Sequence, residues 1–176
     1  IGSTTTSSII NGSLKLQNTI LTFNIFDTAS VQTCCYDCNT VPAAQAGQAF
    51  LTHAHELENL VAIELLANLK CLNVKPFLEY LSSLDREIAI FGGGADAQND
   101  ESPTYVFDKS SILDKGIAAV CFCGQELHVH ISSNFGWKPL GRAMRITAMD
   151  GDCIIRTLDY QSAISVYEKY LNITKG

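Results

Sequence analysis

The chain has 176 residues, a formal net charge of −6 and a hydrophobic content of 47%. This length suffices for one sizeable hydrophobic core, and the composition is that of a globular protein. The acidic balance, with no basic run, argues against a nucleic-acid-binding surface. No apolar stretch reaches the roughly 18 residues that a membrane helix needs. We therefore expect neither a nucleic-acid partner nor a membrane association.

The cysteines and the start of the chain bear on its cellular compartment. Seven cysteines, an odd number without a regular framework, are typical of a reducing compartment, so a cytoplasmic location is expected. Cys34, Cys35 and Cys38 form a CCxxC cluster. Zinc ordinarily takes four ligands from two such pairs, and a redox CxxC begins a helix, so neither use is favoured. The chain starts without Met or a signal peptide, which indicates a fragment or a processed piece.

In chain order, the first elements predicted are two strands and a helix. Leu21–Phe26 (LTFNIF) alternates as a strand does, and Val31–Tyr36 is a possible neighbour. Ala43–Leu57 is rich in Ala, Gln and Glu, and its apolar spacing predicts an amphipathic helix. The residues expected on its buried face are Ala46, Phe50 and Ala54 or Leu57.

The next segment predicts a parallel βαβ unit. Leu60–Leu66 fits either a helix or a buried strand, and we favour a strand because a helical pattern with Pro at its start follows at Pro76–Leu84. Ile88–Phe91 is then a second strand, parallel to the first through a right-handed connection.

Three glycines, Gly92, Gly93 and Gly94, follow that second strand, and Asp96 lies two residues beyond. Without a Cβ they can adopt positive φ or let a ligand approach the backbone, and successive free N–H groups bind anions. The segment is not a P-loop, because no Gly-Lys-Ser/Thr follows, and it opens no helix as a dinucleotide fingerprint must. Two interpretations stay open, a simple turn between strands and a ligand site at the carboxyl end of a parallel strand.

The second half predicts short strands and a final helix. The strand candidates are Thr104–Phe107, Ile117–Cys123, Leu127–Ser132 and Ala143–Ala148. Asp150-Gly151 is a hairpin signal between Arg145–Met149 and Asp152–Thr157. The final helix, Ser162–Leu171, is expected to bury Ile164, Tyr167 and Leu171. The predicted class is α+β, with mixed, mainly antiparallel β-sheet packed with helices and one possible parallel βαβ unit.

Histidines and catalytic motifs give little support to a metal centre or an enzyme. His53 and His55 lie about 200° apart on the predicted helix, so they cannot share an ion. His128 and His130 alternate on a predicted strand and are a candidate metal pair with the cysteines of Ile117–Cys123, although small buried thiols are the plainer interpretation there. A haem ligand from any histidine stays an alternative. No GxSxG or HExxH motif occurs, so no enzyme is predicted.

A family resemblance adds to these patterns. The ordered segments IGSTTTSSI, IAIFGGGADAQ, PTYVF, KGIAAVCFCG, FGWKPLG and ITAMDGDCIIRTLDYQSAISVYEKYL resemble the FIST sensory domain across nearly the whole chain. The family's strand and helices that precede the Gly-Ser-Thr-Thr segment are absent. The chain therefore resembles a FIST N-terminal subdomain truncated at its start, with residues 1–176 expected to form one subdomain. The CCxxC cluster is not part of the family pattern.

The resemblance implies an intracellular sensing module of a signal-transduction protein, with amino acids as the ligand class. A haem- or metal-based gas or redox sensor is the alternative, and no cofactor is predicted. The implied partners are a small-molecule ligand and an output module of the kinase, GGDEF or chemoreceptor type. If a lost strand leaves a sheet edge bare beside Leu21–Phe26, the fragment is expected to self-associate. The predicted ligand-binding residues are Gly92, Gly93, Gly94 and Asp96, with Trp137, Pro139 and Gly141 as a second wall.

Overall fold

The computed structural model describes residues 1–16, 18–97, 99, 101–133, 136, 138–151 and 154–172. They form two compact units, Ile1–Ile131 and Ser132–Gly176. The helices are α1 (Ala43–Glu56), α2 (Lys75–Leu81) and α3 (Ala163–Leu171). The strands are β1 (Gly2–Ser3), β2 (Ser8–Ile10), β3 (Ser13–Lys15), β4 (Ser30–Asp37), β5 (Leu60–Ala67), β6 (Ala89–Gly94), β7 (Val106–Phe107), β8 (Ile112–Leu113), β9 (Gly116–Cys123), β10 (Ile146–Asp150), β11 (Ile154–Leu158) and β12 (Gln161–Ser162).

The first unit is built on a four-stranded sheet in the order β4-β9-β5-β6. Strands β5 and β6 are parallel and joined through α2, whereas β9 runs antiparallel to both β4 and β5. The predicted βαβ unit and the α+β class are therefore confirmed. Both outer strands, β4 and β6, are edges of this sheet.

Helices α1 and α2 cover one face of the sheet and form the main core. The predicted face of α1 is confirmed, because Ala46, Phe50 and Ala54 are all buried. The ring of Phe50 lies 5.6 Å from that of Phe77 on α2, centroid to centroid. Burial of each such side chain stabilises the fold by about 1.5–3 kcal/mol. The alternate residues of β5 and β9, including Ile63 and Ile117, point into the same cluster.

The other face of the sheet is partly covered by the small β1-β7-β8 sheet. There Val106 and Ala118 are fully buried, with Ala95 beside them. The hairpin of β2 and β3 turns through Asn11 and Gly12, which both have positive φ as a type I′ turn requires.

The second unit contains the predicted hairpin. Strand β10 pairs antiparallel with β11, which pairs in turn with β12. Asp159 ties this unit together, because its Oδ1 accepts the Arg145 backbone N–H at 2.9 Å and its Oδ2 pairs with Arg142 at 2.6 Å.

Two predicted strands and one predicted helix face are wrong. Leu21–Phe26 forms no strand, and Phe23 and Ile25 are 79% and 91% exposed. Leu127–Ser132 also has no regular structure among its described residues. Alternation alone does not make a strand, because a strand also needs a hydrogen-bonding neighbour.

On α3 the small side chains, Ala163 and Val166, are the buried ones. Ile164, Tyr167 and Leu171 are exposed instead. Two stripes of this short helix are apolar, so periodicity alone cannot choose between them. Among the residues that the structure describes, no helix is both long and apolar enough to cross a membrane.

Candidate functional site

The three glycines extend strand β6 instead of forming a turn after it, so the expectation of a glycine turn is corrected. Gly92, Gly93 and Gly94 stand opposite Leu65, Leu66 and Ala67 of β5 in parallel register. Gly92 has a φ of +145°, and a Cβ there would come within 1.8 Å of the carbonyl oxygen of its partner on β5. Glycine is therefore required at this position by close backbone packing.

The alternation of the β5–β6 ladder sets the direction of the glycine amides. Ala95 donates its N–H to the Ala67 carbonyl at 2.7 Å, so odd-numbered residues here face β5. The N–H groups of Gly92 and Gly94 accordingly face the open edge of the sheet. Gly93 is exposed, and a Cβ built on it would have no neighbour within 4 Å.

Asp96 follows on the same edge and is held by three hydrogen bonds. Its N–H donates to the Thr4 carbonyl at 3.0 Å. Its Oδ2 accepts the Thr6 hydroxyl at 2.5 Å, and its Oδ1 accepts the Ala97 N–H at 2.8 Å. The bonds from Thr6 and then Ala97 lower the pKa of the Asp96 carboxyl, which is exposed to solvent. The group is therefore an ionised carboxylate at neutral pH, able to accept a hydrogen bond from a cation.

The amino-terminal threonines bring Thr6 to this edge. Thr4 donates its N–H to the Tyr105 carbonyl at 2.9 Å, and its hydroxyl oxygen accepts the Tyr105 N–H at 3.0 Å. These bonds continue the pairing of β1 with β7. Thr6 was not among the predicted site residues, although it belongs to the Thr/Ser cluster of residues 3–8 that the sequence displays.

Lys70 supplies a positive charge close enough to lower the pKa of Asp96 further. Its Nζ donates to the Ser102 carbonyl at 3.2 Å, and the residue follows the end of β5. Nothing in the sequence pattern distinguishes this lysine from the other basic residues, so sequence reasoning missed it. The edge thus combines backbone donors, a carboxylate, a hydroxyl and an ammonium group.

Three predicted residues remain, Trp137, Pro139 and Gly141. Trp137 falls outside the described residues. Pro139 and Gly141 belong to the second unit, and Pro139 is exposed. Gly141 has a φ of +78°, and a Cβ there would lie 2.5 Å from the ring of Tyr170 on α3. Within the first unit, the structure therefore brings Gly92, Gly93, Gly94 and Asp96 together, and within the second unit Gly141 packs against Tyr170.

The candidate metal residues do not form a centre. His128 and His130 lie outside any strand and are exposed. Cys121 is buried in the helix-covered core and Cys123 is buried at the end of β9, and burial raises the pKa of the Cys121 thiol to about 12. Among the described residues, no group of three or more His, Cys, Asp or Glu side chains could hold a metal ion.

The mixed sheet, its helix-covered core and its glycine edge define an α+β domain. The family model described as the FIST N domain matches residues 1–161. The chain therefore belongs to the FIST family, a sensory domain family of signalling proteins, as the sequence resemblance implied. Comparison with curated proteins and with solved structures gives no match.

Proposed function

We propose that this chain is a sensory module that binds a free amino acid without transforming it and passes the signal to a linked output module. The observation that carries the proposal is the ionised Asp96 carboxylate beside the open amides of β6. Residues 1–176 act in it as one sensory subdomain of a cytoplasmic protein. The proposed output module is of the kinase, GGDEF or chemoreceptor type.

The two charged groups of an amino acid match the two kinds of group on this edge. The ligand ammonium donates a charge-assisted hydrogen bond to Asp96, whose Thr6 and Ala97 contacts fix the carboxylate in place. The ligand carboxylate accepts from the N–H groups of Gly92 and Gly94. Such short-range donors matter because the net charge of −6 repels anions at long range.

The remaining predicted residues complete this proposal as a second wall. In it, Trp137 covers the apolar part of the ligand, and Pro139 and Gly141 shape the loop that carries the indole ring. This wall rests on the sequence alone. Its contribution is separable from that of the β6 edge, because Trp137→Ala would weaken apolar amino acids more than Gly or Ser.

Isothermal titration of the chain against the twenty amino acids tests the proposal. At least one amino acid should bind saturably, and Asp96→Asn should weaken that binding about tenfold or more. Asp108→Asn is the matched control, because the pKa of the half-buried Asp108 is also lowered by hydrogen bonds, from Ser110 and Ser111. It should leave the affinity unchanged.

Absence of binding to the folded chain would overturn the proposal. Unchanged affinity in Asp96→Asn would remove Asp96 from the site and leave it as a structural group that holds the Thr6 hydroxyl and the Ala97 amide. Gly93→Val gives an independent answer, since a Cβ there meets no neighbour within 4 Å. It should keep the fold and block the approach of the ligand.

A further inference from the structure

A cleft at the far end of the central sheet is not part of the glycine edge. It has a volume of about 470 Å³, within the range of about 300–1,000 Å³ that is typical of small-molecule pockets. It opens at Cys123, where β9 ends. Cys123 pairs there with Ser30, the first residue of β4, and with Leu60, the first residue of β5. Gly94 pairs with Ala67, at the other end of β5. Seven residue steps along a strand separate the two places by about 20 Å.

Two turns form the walls of this cleft and are fixed to each other. One turn connects α1 to β5 through Asn59, whose φ is +55°. The other follows β9 at Gly124, which donates its N–H to the Asn59 carbonyl at 2.9 Å. A Cβ on Gly124 would lie 3.2 Å from that of Ala29, so the second turn also packs closely against the chain that leads into β4. The cleft is therefore a property of the folded sheet end and not of one isolated loop.

The lining is more polar than apolar, and both of its charged side chains, Glu58 and Glu126, are negative. The side chains that offer hydrogen-bonding groups are Thr28, Ser30, Glu58, Asn59, Gln125 and Glu126. No lysine or arginine among the residues that the structure describes lines the cleft. Within the described part of the chain, neither glutamate forms an ion pair, and the hydroxyl and amide side chains form no hydrogen bonds.

We propose that this cleft binds a small organic cation that carries primary ammonium groups, such as a linear diamine. Carboxylates form strong charge-assisted hydrogen bonds with ammonium groups, and the hydroxyl and amide oxygens accept the remaining N–H donors. The net charge of −6 attracts cations at long range, whereas it opposes the approach of an anion. A calcium ion fits less well, since it takes six to eight oxygen ligands and two carboxylates supply few of them.

Titration of the 176-residue chain with 1,4-diaminobutane, followed by ¹⁵N–¹H NMR, tests this proposal. Saturable shifts are expected for the amides of Asn59 and Gly124. Glu58→Gln and Glu126→Gln should each weaken binding about tenfold. Glu79→Gln, on the exposed surface of α2, makes the same change in net charge away from the cleft and should leave the affinity unchanged. Thr28→Trp places a large side chain at an exposed lining position and should abolish binding while the remaining amide shifts report an intact fold.

Four outcomes would overturn the proposal. Unsaturated shifts, or equal losses in Glu79→Gln and Glu126→Gln, would mean that the amine only screens the surface charge. Loss of binding in Asp96→Asn would place the amine at the glycine edge. Equally tight binding of calcium chloride at the same amides would make the cleft a metal site. The amino-acid proposal has its own readout, the affinity for amino acids. Of these four results, only a loss of diamine binding in Asp96→Asn bears on it.

Discussion

Asn68 offers the sharpest test of how the end of β5 is held together. It is fully buried and directly follows β5. Its amide nitrogen donates to the Thr104 carbonyl at 2.7 Å and to the Asp114 carbonyl at 2.5 Å. Its oxygen accepts the Thr104 hydroxyl at 2.8 Å and the Lys70 N–H at 3.2 Å. All four hydrogen-bonding positions of the side chain are therefore used.

Asn68→Leu keeps a similar volume but removes these four contacts. The Thr104 hydroxyl and carbonyl then lose their partner, and they cannot turn to water because Thr104 is only 4% exposed. An unsatisfied buried polar group costs about 1–3 kcal/mol, so the expected loss of unfolding free energy is about 3–5 kcal/mol. Domains are stable by about 5–15 kcal/mol, so the variant should still fold.

Urea unfolding followed by circular dichroism measures this loss. With a slope of about 2 kcal/mol per molar urea, the midpoint should fall by about 2 M. Asn73→Ala is the control, because Asn73 is exposed and accepts one backbone N–H, from Lys75, at 3.1 Å. It should shift the midpoint much less.

A double-mutant cycle with Thr104→Val shows whether the loss comes from the stranded hydroxyl. The double variant should be less destabilised than the sum of the two single variants, because Val leaves no hydroxyl without a partner. A loss below about 1 kcal/mol in Asn68→Leu, or strict additivity in the cycle, would refute the reasoning.

Three further predictions follow from local geometry. Gly92→Ala should destabilise the chain by about 2 kcal/mol or more, because its Cβ would meet a backbone oxygen at 1.8 Å, whereas Gly93→Ala should change stability by less than about 0.5 kcal/mol. Equal shifts in Tm for the two variants would contradict this. In the folded protein, iodoacetamide at pH 8 should modify the exposed Cys71 well before Cys121, whose pKa burial raises to about 12, and mass spectrometry of peptides gives the order. A backbone N–H and a guanidinium lower the pKa of Asp159, so its contribution to stability is present above the unfolded value of about 3.9 and is lost as the pH falls through the lower folded value. Asp159→Asn should remove that part of the acid dependence in melting curves from pH 6 to pH 2.

The elements that could be predicted from sequence are those whose pattern is decided locally. Helix α1 has a single apolar stripe, through Ala46, Phe50 and Ala54, so only one face of the helix can be the buried one. Strand β9 is apolar on both faces, and the structure covers both. The parallel pairing of β5 and β6 follows once a helix is recognised between two apolar strands.

The failed predictions depend on partners that a local pattern does not contain. Leu21–Phe26 alternates as well as many strands do. However, β4 pairs with β9 alone, and no other strand among the described residues pairs with the outer edge of β4. Within Leu21–Phe26, the ring of Phe26 packs against that of Phe122 on β9, with 6.1 Å between the ring centroids. For the same reason, Thr6 could not be joined to Asp96 from sequence, because 90 residues separate them and only the pairing of β1 with β7 brings them together.

The glycines of β6 show how a packing role and a binding role can be told apart. Gly92 is required by its φ and by the carbonyl oxygen that faces it, so its presence says nothing about a ligand. Gly93 has no such reason, because a Cβ there has open space around it. A side chain at Gly93 therefore alters what can approach the edge without altering how the sheet is built. Binding that survives Gly93→Val would remove Gly93 from the site, and binding that is lost in this stable variant would assign Gly93 to the ligand.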